Sequence, residues 1–332
     1  MSSKPRRRTL AVVVALAVLL SGCSAASTPA SPSGSTATRQ VTDVEGTVVD
    51  VPASPQRIVT LSEPTLDGVL ALGVTPVGTV SGRGQGTVPS YLADAAGDLA
   101  ILGSVAQPNY EAIGAVDPDL ILVDGTSVNN NPPVIEALRA IAPVVYTGYA
   151  GGDWRSNFLL VADALNLSDE GAAVVAAYDA KVADAAQQLS GYADDTFSIV
   201  RWQGNSASLI LKELPPGQAL TDLGLARPAA QDRNGRGHSE PVSLENLAQI
   251  DADHIFFGTL GGSSVDNATA GGSAGLDAAA SALQSAAAVP GFTDLEAYRN
   301  DAIVLVDGSA WTSTGGPLLM NRIIDDVVAA LT

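Results

Sequence analysis

One long helical stretch constrains the fold more than any other feature, because it divides the chain into two similar series of short elements. Over residues 168–189 apolar side chains recur at steps of three and four, the spacing of one helix face. A helix of about 22 residues spans roughly 33 Å. On both sides of it short β-rich runs alternate with helical stretches, which predicts largely parallel sheets. The predicted fold class is therefore α/β, with two α/β lobes joined by a single long α-helix as a stiff connector.

The individual elements are predicted from the same alternation. Strands are predicted at 58–61, 77–80, 120–123 and 144–146 in the first lobe, and at 197–202, 208–211, 254–257 and 303–306 in the second. Helices are predicted after Pro64, near Pro132 and over 153–165, 242–250 and 317–331, with Ser168 as the cap of the long helix. Segment 265–288 is dominated by Ala, Gly and Ser and favours no particular structure.

The first residues are typical of a targeting segment. Four cations precede an unbroken apolar run over 10–20, and small residues follow. This order predicts a secretory signal over 1–22, and the run is shorter than the roughly 20 residues that span a bilayer. The four residues that end at Cys23 resemble the lipobox of bacterial lipoproteins, in which the cysteine is acylated. The alternative is an ordinary signal-peptidase site with an incidental cysteine.

The composition of the chain after the signal segment separates a tether from the folded domain. Residues 23–40 are rich in Ser, Thr, Ala and Pro, which predicts a flexible tether between membrane and domain. The remaining boundaries are 41–152 for the first lobe, 153–190 for the helical connector and 191–332 for the second lobe. We therefore expect a protein anchored by lipid to the extracytoplasmic face of the cell membrane.

The charge of the chain excludes one class of partner. The formal net charge is −18, and removal of the signal segment with its four cations takes it to −22. Because phosphate binding requires a basic face, nucleic acid is not expected as a partner. Solubility alone accounts for most of the surplus of carboxylates.

Polar or Gly-rich residues follow several predicted strands. In open α/β sheets, ligands bind at the carboxyl ends of the strands. If the two lobes face each other, these segments line one cleft, although each taken singly is compatible with ordinary turn chemistry. The segments are Ser62-Glu63, Ser81-Gly82-Arg83-Gly84, Gly125-Thr126, Trp202-Gln203-Gly204 and Gly258-Thr259.

Aromatic and cationic side chains lie near the same strand ends. Their rings and guanidinium groups suit a flat, partly apolar, oxygen-rich ligand, while either tryptophan is equally compatible with a place in the core. The candidate ligand-binding residues are Ser62, Glu63, Arg83, Arg201, Trp202, Arg233, Arg236, His238 and Trp311.

Signatures of an enzyme are weak. The chain has two histidines: His254 begins a predicted strand, and His238 stands beside Ser239 in a loop without a charge-relay arrangement. The Gly-x-Ser-x-Gly pattern at 271–275 lacks a preceding strand, and the glycines around Arg83 do not complete a dinucleotide fingerprint. We expect no catalytic residue, no direct metal site and no cofactor.

Two glutamates occupy matching places in the predicted lobes. Glu111 and Glu245 each lie in the first turn of a predicted helix that precedes a strand. The local interpretation is a carboxylate that favours a helix start by a few tenths of a kcal/mol to about 1 kcal/mol.

From about residue 41 to the end, the chain resembles the siderophore, haem and cobalamin class of periplasmic binding proteins, and its ferric-siderophore members in particular. The order and spacing of five landmarks together carry the resemblance. They are Arg57-Ile58-Val59-Thr60-Leu61-Ser62, Leu72-Gly73-Val74-Thr75-Pro76-Val77-Gly78, Asn109-Tyr110-Glu111, Asp117-Pro118-Asp119-Leu120-Ile121 and Asp251-Ala252-Asp253-His254-Ile255.

The resemblance implies a class III periplasmic binding protein with its ligand between the lobes and only small closure motions. It implies capture of a ferric siderophore for an ABC permease dimer with its ATPase, by a monomeric protein whose only iron belongs to the bound chelate. Glu111 and Glu245 fall where the family has one acidic residue per lobe that docks against permease arginines.

The resemblance does not fix the ligand. Strongly anionic catecholates require several cations in the cleft, whereas hydroxamates require fewer, and the candidate arginines favour a hydroxamate modestly. Haem or cobalamin is the alternative within the class, with Tyr110, Tyr146, Tyr149 and His238 as candidate haem ligands. A surface hydrolase or a cell-wall binding module is the alternative from a different class.

Overall fold

The structure, a computed structural model of the chain, describes residues 37–128, 131–261 and 272–332. The predicted signal segment 1–22, most of the tether and Cys23 lie outside the described residues, as does Gly271 of the Gly-x-Ser-x-Gly pattern. The described residues form one compact unit. Within them, no helix has both the length and the apolar character needed to cross a membrane.

The first lobe is built on a five-stranded sheet in which every neighbouring pair is parallel, in the order β5-β4-β3-β6-β7. Its strands are short apolar runs, and β6 is buried along its whole length, as expected for a parallel sheet covered on both faces. The elements are a hairpin of β1 (Thr38–Thr42) and β2 (Val48–Pro52), then β3 (Ile58–Thr60), α1 (Glu63–Ala71), β4 (Gly78–Ser81), α2 (Ala93–Ala96), β5 (Ile101–Ser104), α3 (Tyr110–Ala115), β6 (Leu120–Val123), α4 (Pro132–Arg139) and β7 (Val144–Tyr146).

The connector consists of two helices, α5 (Trp154–Ala164) and α6 (Ser168–Gln188). Phe158 of α5 packs in the core of the second lobe, and Val161, one turn later, packs in the core of the first. Burying each such side chain contributes about 1.5–3 kcal/mol, so bending here would expose apolar surface in both lobes. The predicted cap is wrong by one residue, because Leu167 precedes α6 and Ser168 lies inside it.

The second lobe is built on a mixed five-stranded sheet in the order β10-β9-β8-β11-β12. The pairs of β11 with β8 and with β12 are parallel, while β9 runs antiparallel to β8 and to β10. The elements are β8 (Phe197–Gln203), β9 (Ser206–Leu209), α7 (Pro215–Asp222), β10 (Glu240–Val242), β11 (His254–Gly258), α8 (Leu276–Ala287), α9 (Glu296–Arg299), β12 (Ile303–Leu305), α10 (Gly308–Trp311) and α11 (Pro317–Leu331).

The predicted fold class, two α/β lobes, is confirmed, and the connector between them includes the predicted long helix, α6. Besides the cap of α6, other local features differ from the predictions. The tether was expected to reach residue 40, but β1 begins at Thr38. The predicted helix at 242–250 is the end of β10 followed by a 3₁₀ helix, Leu244–Ile250. The hairpin and β5 were not predicted, since their short runs are interrupted by polar residues and Gly103.

Candidate functional site

A cavity of about 160 Å³ lies between the lobes, and both contribute to its wall. It lies where the carboxyl ends of β4 and β6 from one sheet approach that of β8 from the other, the position at which open α/β sheets bind ligands. The wall consists of Arg83, Gly125, Thr126 and Ala150 from the first lobe, and Arg201, Leu214, Gly237, His238, Ser239, Thr312, Ser313 and Thr314 from the second.

Arg83 is held in the wall by the loop that follows β4. Its backbone N–H donates to Oε1 of Glu63 at 2.6 Å, and its guanidinium donates to the carbonyl oxygen of Thr126 at 2.5 Å. Glu63 is buried, at 2% exposure, and does not reach the cavity. The prediction that Glu63 contacts the ligand is therefore corrected, because its carboxylate is turned toward the loop that carries Arg83.

A second buried glutamate organises the matching loop of the other lobe. Glu213 accepts the backbone N–H groups of Gly235 at 2.7 Å and Gly237 at 3.1 Å. This loop places His238 and Ser239 in the cavity wall. Each lobe thus uses one buried glutamate to fix a cleft loop, and only Glu63 of the two was predicted from the sequence.

Asp124 lies behind the wall at the end of β6. It is 1% exposed, and its Oδ1 accepts from the N–H of Thr126 at 3.1 Å and from the hydroxyl at 2.6 Å. Burial raises its pKa to about 6, against the lowering effect of the hydrogen bonds from Thr126 and Ser62. Ser62 itself is buried and accepts the N–H of Thr65 at the start of α1, so it is a helix cap and its predicted contact with the ligand is corrected.

Arg201 and Trp202 are neighbours in β8 and point to opposite faces of the sheet, because side chains alternate along a strand. The guanidinium of Arg201 reaches the cavity and donates to Oγ of Ser239 and, at 3.5 Å, to the carbonyl oxygen of Thr312. Trp202 is fully buried, 5.4 Å from the ring of Phe292. The prediction that Trp202 contacts the ligand is wrong, and its ring belongs to the core.

The prediction that Trp311 contacts the ligand is also wrong. Trp311 is fully buried in α10, stacks on Phe256 at 4.3 Å, and donates its indole N–H to Asp326 at 2.9 Å. The three hydroxyl residues that follow it, 312–314, line the cavity instead. They were not predicted, because they follow the helix α10 and not the end of a strand.

Of the remaining basic candidates, one lines the cavity and two do not. His238 lines the cavity, and its Nδ1 lies 3.0 Å from the carbonyl oxygen of Ser239. Arg233 is exposed and forms an ion pair with Glu240, and Arg236 is exposed as well, so neither lines this cavity. Their predicted contact with the ligand stays a prediction. The roles of Arg83, Arg201 and His238 stay predictions.

The three tyrosines among the candidate haem ligands do not line the cavity. Tyr146 is buried in the core of the first lobe, Tyr110 is exposed on α3, and Tyr149 is exposed with its hydroxyl 3.5 Å from Glu45. Within the residues that the structure describes, no three His, Cys, Asp or Glu side chains are grouped so as to hold a metal ion.

Glycine contacts bring the lobes together on either side of the cavity. A Cβ on Gly261 would lie 1.7 Å from the carbonyl oxygen of Gly84, and one on Gly237 would lie 2.4 Å from that of Ala150. Real Cβ atoms essentially never come within 3.0 Å of such an atom. The lobes are therefore in a closed arrangement that depends on glycine at these positions.

Glu111 and Glu245 lie where the sequence predicted. Glu111 is exposed in the first turn of α3, which precedes β6, and Glu245 is exposed in the 3₁₀ helix that precedes β11. Asn109 and Ser243 cap these two starts. Each lobe thus presents one exposed carboxylate at a helix start.

Comparison with known proteins gives relatives over nearly the full length. The chain is 31% identical over 324 residues to the probable siderophore-binding lipoprotein YfiY of Bacillus subtilis, covering 96% of this chain and 95% of the relative. It is 25% identical to the Fe(3+)-citrate-binding protein YfmC of the same organism, covering 92% and 91%.

The structural comparison gives the same picture. The crystal structure of Staphylococcus aureus SirA complexed with staphyloferrin B matches with a TM-score of 0.73 and 25% identity, covering 89% of this chain and 98% of SirA. The sequence also matches the family described as "Periplasmic binding protein" over residues 58–310, well over half of the chain. This protein therefore belongs to the periplasmic binding protein family.

Proposed function

We propose that this protein captures a ferric siderophore outside the cytoplasm and delivers it to the permease of an ABC importer. The observation that carries the proposal is the cavity between the lobes, into which Arg83 projects from one lobe and Arg201 from the other. A ligand held there contacts both lobes and stabilises their closed arrangement, so capture needs binding only and no chemical step.

The relatives support the same class of ligand. One is named a probable siderophore-binding lipoprotein, and the structure of SirA was solved with staphyloferrin B. We expect iron to enter as part of the chelate, with no resident cofactor. A hydroxamate, favoured by the sequence, stays one candidate among the chelates.

Membrane attachment and docking complete the proposal. Cys23 would carry the lipid anchor, and the short segment between it and Thr38 would serve as the tether. Glu111 and Glu245 would then meet basic residues of the two permease subunits, since each is exposed on its own lobe. The protein would act as a monomer on the extracytoplasmic face.

A charge reversal of both glutamates separates docking from capture. In the Glu111→Arg/Glu245→Arg variant we expect uptake of the ferric siderophore to fall at least about tenfold, because like charges then meet at the permease. Binding of the chelate to the purified variant should equal that of the unmodified protein. The measurements are uptake of radioactive iron by cells and equilibrium dialysis of the purified chain.

The matched control reverses Glu136 and Glu296, which are exposed glutamates with one on each lobe. This control should retain both uptake and binding. The docking proposal is contradicted if the test and control variants transport equally well, or if the test variant loses chelate affinity in parallel with uptake.

A further inference from the structure

Arg201 carries a positive charge that has no carboxylate partner among the described residues. Its guanidinium is partly buried and bonds only to neutral groups, the hydroxyl of Ser239 and the carbonyl oxygen of Thr312. Among the described residues no carboxylate lies within 4.0 Å of it. Burying a cation in this way costs free energy unless an anion compensates it.

Scarcity of carboxylates does not explain the missing partner. The chain has 35 acidic residues against 17 basic ones, and six other arginines have a carboxylate within 4.0 Å. These pairs are Arg39–Asp163, Arg83–Glu63, Arg139–Asp43, Arg155–Asp179, Arg233–Glu240 and Arg322–Asp326. Arg227 is likewise buried with no carboxylate within 4.0 Å among the described residues, but its guanidinium bonds to Ile210 and Gln231 inside the second lobe. Arg201 differs because its guanidinium faces a cavity that a ligand can enter.

A second guanidinium faces the same space from the opposite lobe. Arg83 lines the cavity, and its nearest carboxylate, Glu63, keeps its Oε1 on the backbone N–H of Arg83 and lies 4.0 Å from the guanidinium Nε. Burial, and then the charge of Arg83, lowers the pKa of Arg201 to about 10. The two cations are thus close enough to repel each other when nothing negative lies between them.

The rest of the wall suits oxygen acceptors and not aromatic rings. Five residues of the wall carry hydroxyl groups, and its apolar side chains are only those of Ala150 and Leu214. Among the described residues of the wall there is no Phe, Tyr or Trp and no Asp or Glu. Hydroxyl and guanidinium donors match carboxylate oxygens, and an arginine can bind a carboxylate through two parallel hydrogen bonds.

We infer, on the basis of the proposed function, that the captured chelate is an anionic ferric complex of carboxylate or hydroxycarboxylate groups, bridging Arg83 and Arg201. A neutral hydroxamate complex would leave Arg201 without a compensating negative charge, while Arg83 keeps the carboxylate of Glu63 at 4.0 Å. A tris-catecholate carries sufficient charge, but its three rings would meet no Phe, Tyr or Trp ring among the described residues of the wall.

The first experiment compares three chelates by isothermal titration calorimetry with the full chain: ferric citrate, a neutral ferric trihydroxamate and a ferric tris-catecholate. We expect the citrate complex to bind at least about tenfold more tightly than the neutral one. Tighter binding of the hydroxamate or of the catecholate overturns the inference and leaves the proposed function standing. Failure of all three to bind overturns the proposed function itself.

The second experiment removes the unpaired cation. Arg201→Gln should weaken ferric citrate at least about tenfold, and Arg201→Lys should do so less, because it keeps the charge and loses only the paired hydrogen bonds. Arg299→Gln, at an exposed position on α9, should bind as the unmodified protein does. Thermal unfolding of each variant establishes that it is folded.

Selectivity is the readout that a merely structural role would not change. Arg201→Gln should reduce the preference for the citrate complex over the neutral trihydroxamate, measured as the ratio of the two dissociation constants. If that ratio is unchanged in both Arg201 variants, Arg201 does not recognise the charge of the ligand and the inference is wrong.

Discussion

At the scale of single residues, backbone contacts determine how closely the lobes approach. Gly237 adopts a φ of +80°, and an added Cβ would lie 2.4 Å from the carbonyl oxygen of Ala150 in the other lobe. The side chain of an alanine cannot move away from such a contact. The closed arrangement therefore requires glycine at this position for its backbone and for its lack of a side chain.

Gly237→Ala should impair closure specifically. Gly224→Ala is its matched control, because Gly224 has a similar φ of +74° but nothing within 4 Å of an added Cβ. Both substitutions place alanine in a left-handed conformation, which costs about 1–2 kcal/mol of stability. Only Gly237→Ala should release the bound chelate faster, by at least about tenfold in stopped-flow dissociation. Equal release rates in the two variants would contradict this role of Gly237.

Some of the candidate residues predicted from the sequence line the cavity, and others belong to the core. Arg83, Arg201 and His238 were identified and line the cavity, whereas Trp202 and Trp311 are core residues. The pairing register of β8 determines whether Arg201 or Trp202 faces the cavity, because a shift of the register by one residue turns every side chain of the strand to the other face. That register depends on pairing with β11, which a single sequence does not display.

At the scale of elements, α1 of the first lobe caps α11 of the second. Asp67 is fully buried, and its two oxygens accept the N–H groups of Leu318 and Leu319 at 2.8 and 2.9 Å. Tyr91 donates its hydroxyl to the same carboxylate at 3.0 Å. A carboxylate stabilises the N-terminus of a helix. The contact between α1 and α11 therefore holds the two lobes together outside the cavity.

The stability of the protein should fall as the pH rises through the titration of Asp67. Burial raises its pKa from 3.8 to about 6, against the lowering effect of the helix N–H groups. The folded protein therefore holds more protons than the unfolded chain between about pH 4 and 6, and the contribution of Asp67 is full below this window and lost above it. A pKa difference of about two corresponds to about 3 kcal/mol.

Asp67→Asn isolates this effect from other titrating groups such as Asp124, which are common to both proteins. Relative to the unmodified protein, the variant should gain up to about 3 kcal/mol in free energy of unfolding between pH 4 and 7. Urea denaturation at several pH values measures the difference. A difference that does not change with pH would show that Asp67 titrates as in the unfolded chain.

Elements with strong patterns were predicted well, and the reasons for the failures are physical. The bounds of β6, β7 and α11 match the sequence analysis, since each is an uninterrupted apolar or periodic run. The role of α11 as the partner of Asp67 was not predicted, because its N-terminal residues carry no polar cap and the capping group comes from a distant part of the chain.

At the scale of the whole molecule, the size of the cavity and the stiffness of the connector act together. The cavity of about 160 Å³ is smaller than the roughly 300 Å³ at which ligand pockets usually begin, so we expect the lobes to separate while a chelate enters and then to close around it. Because α5 packs in both cores, this movement is expected to be a small separation at the mouth of the cleft and not a wide hinge motion.

The central claim is that the iron chelate is held between the lobes, and the position of the iron tests it most directly. Crystals grown with a bound ferric chelate allow the iron to be located by anomalous diffraction at its absorption edge. We predict a single iron peak in the cleft, with oxygen atoms of the chelate accepting hydrogen bonds from the guanidinium groups of Arg83 and Arg201. An iron peak on the outer surface, or one contacted by a single lobe only, would contradict the account.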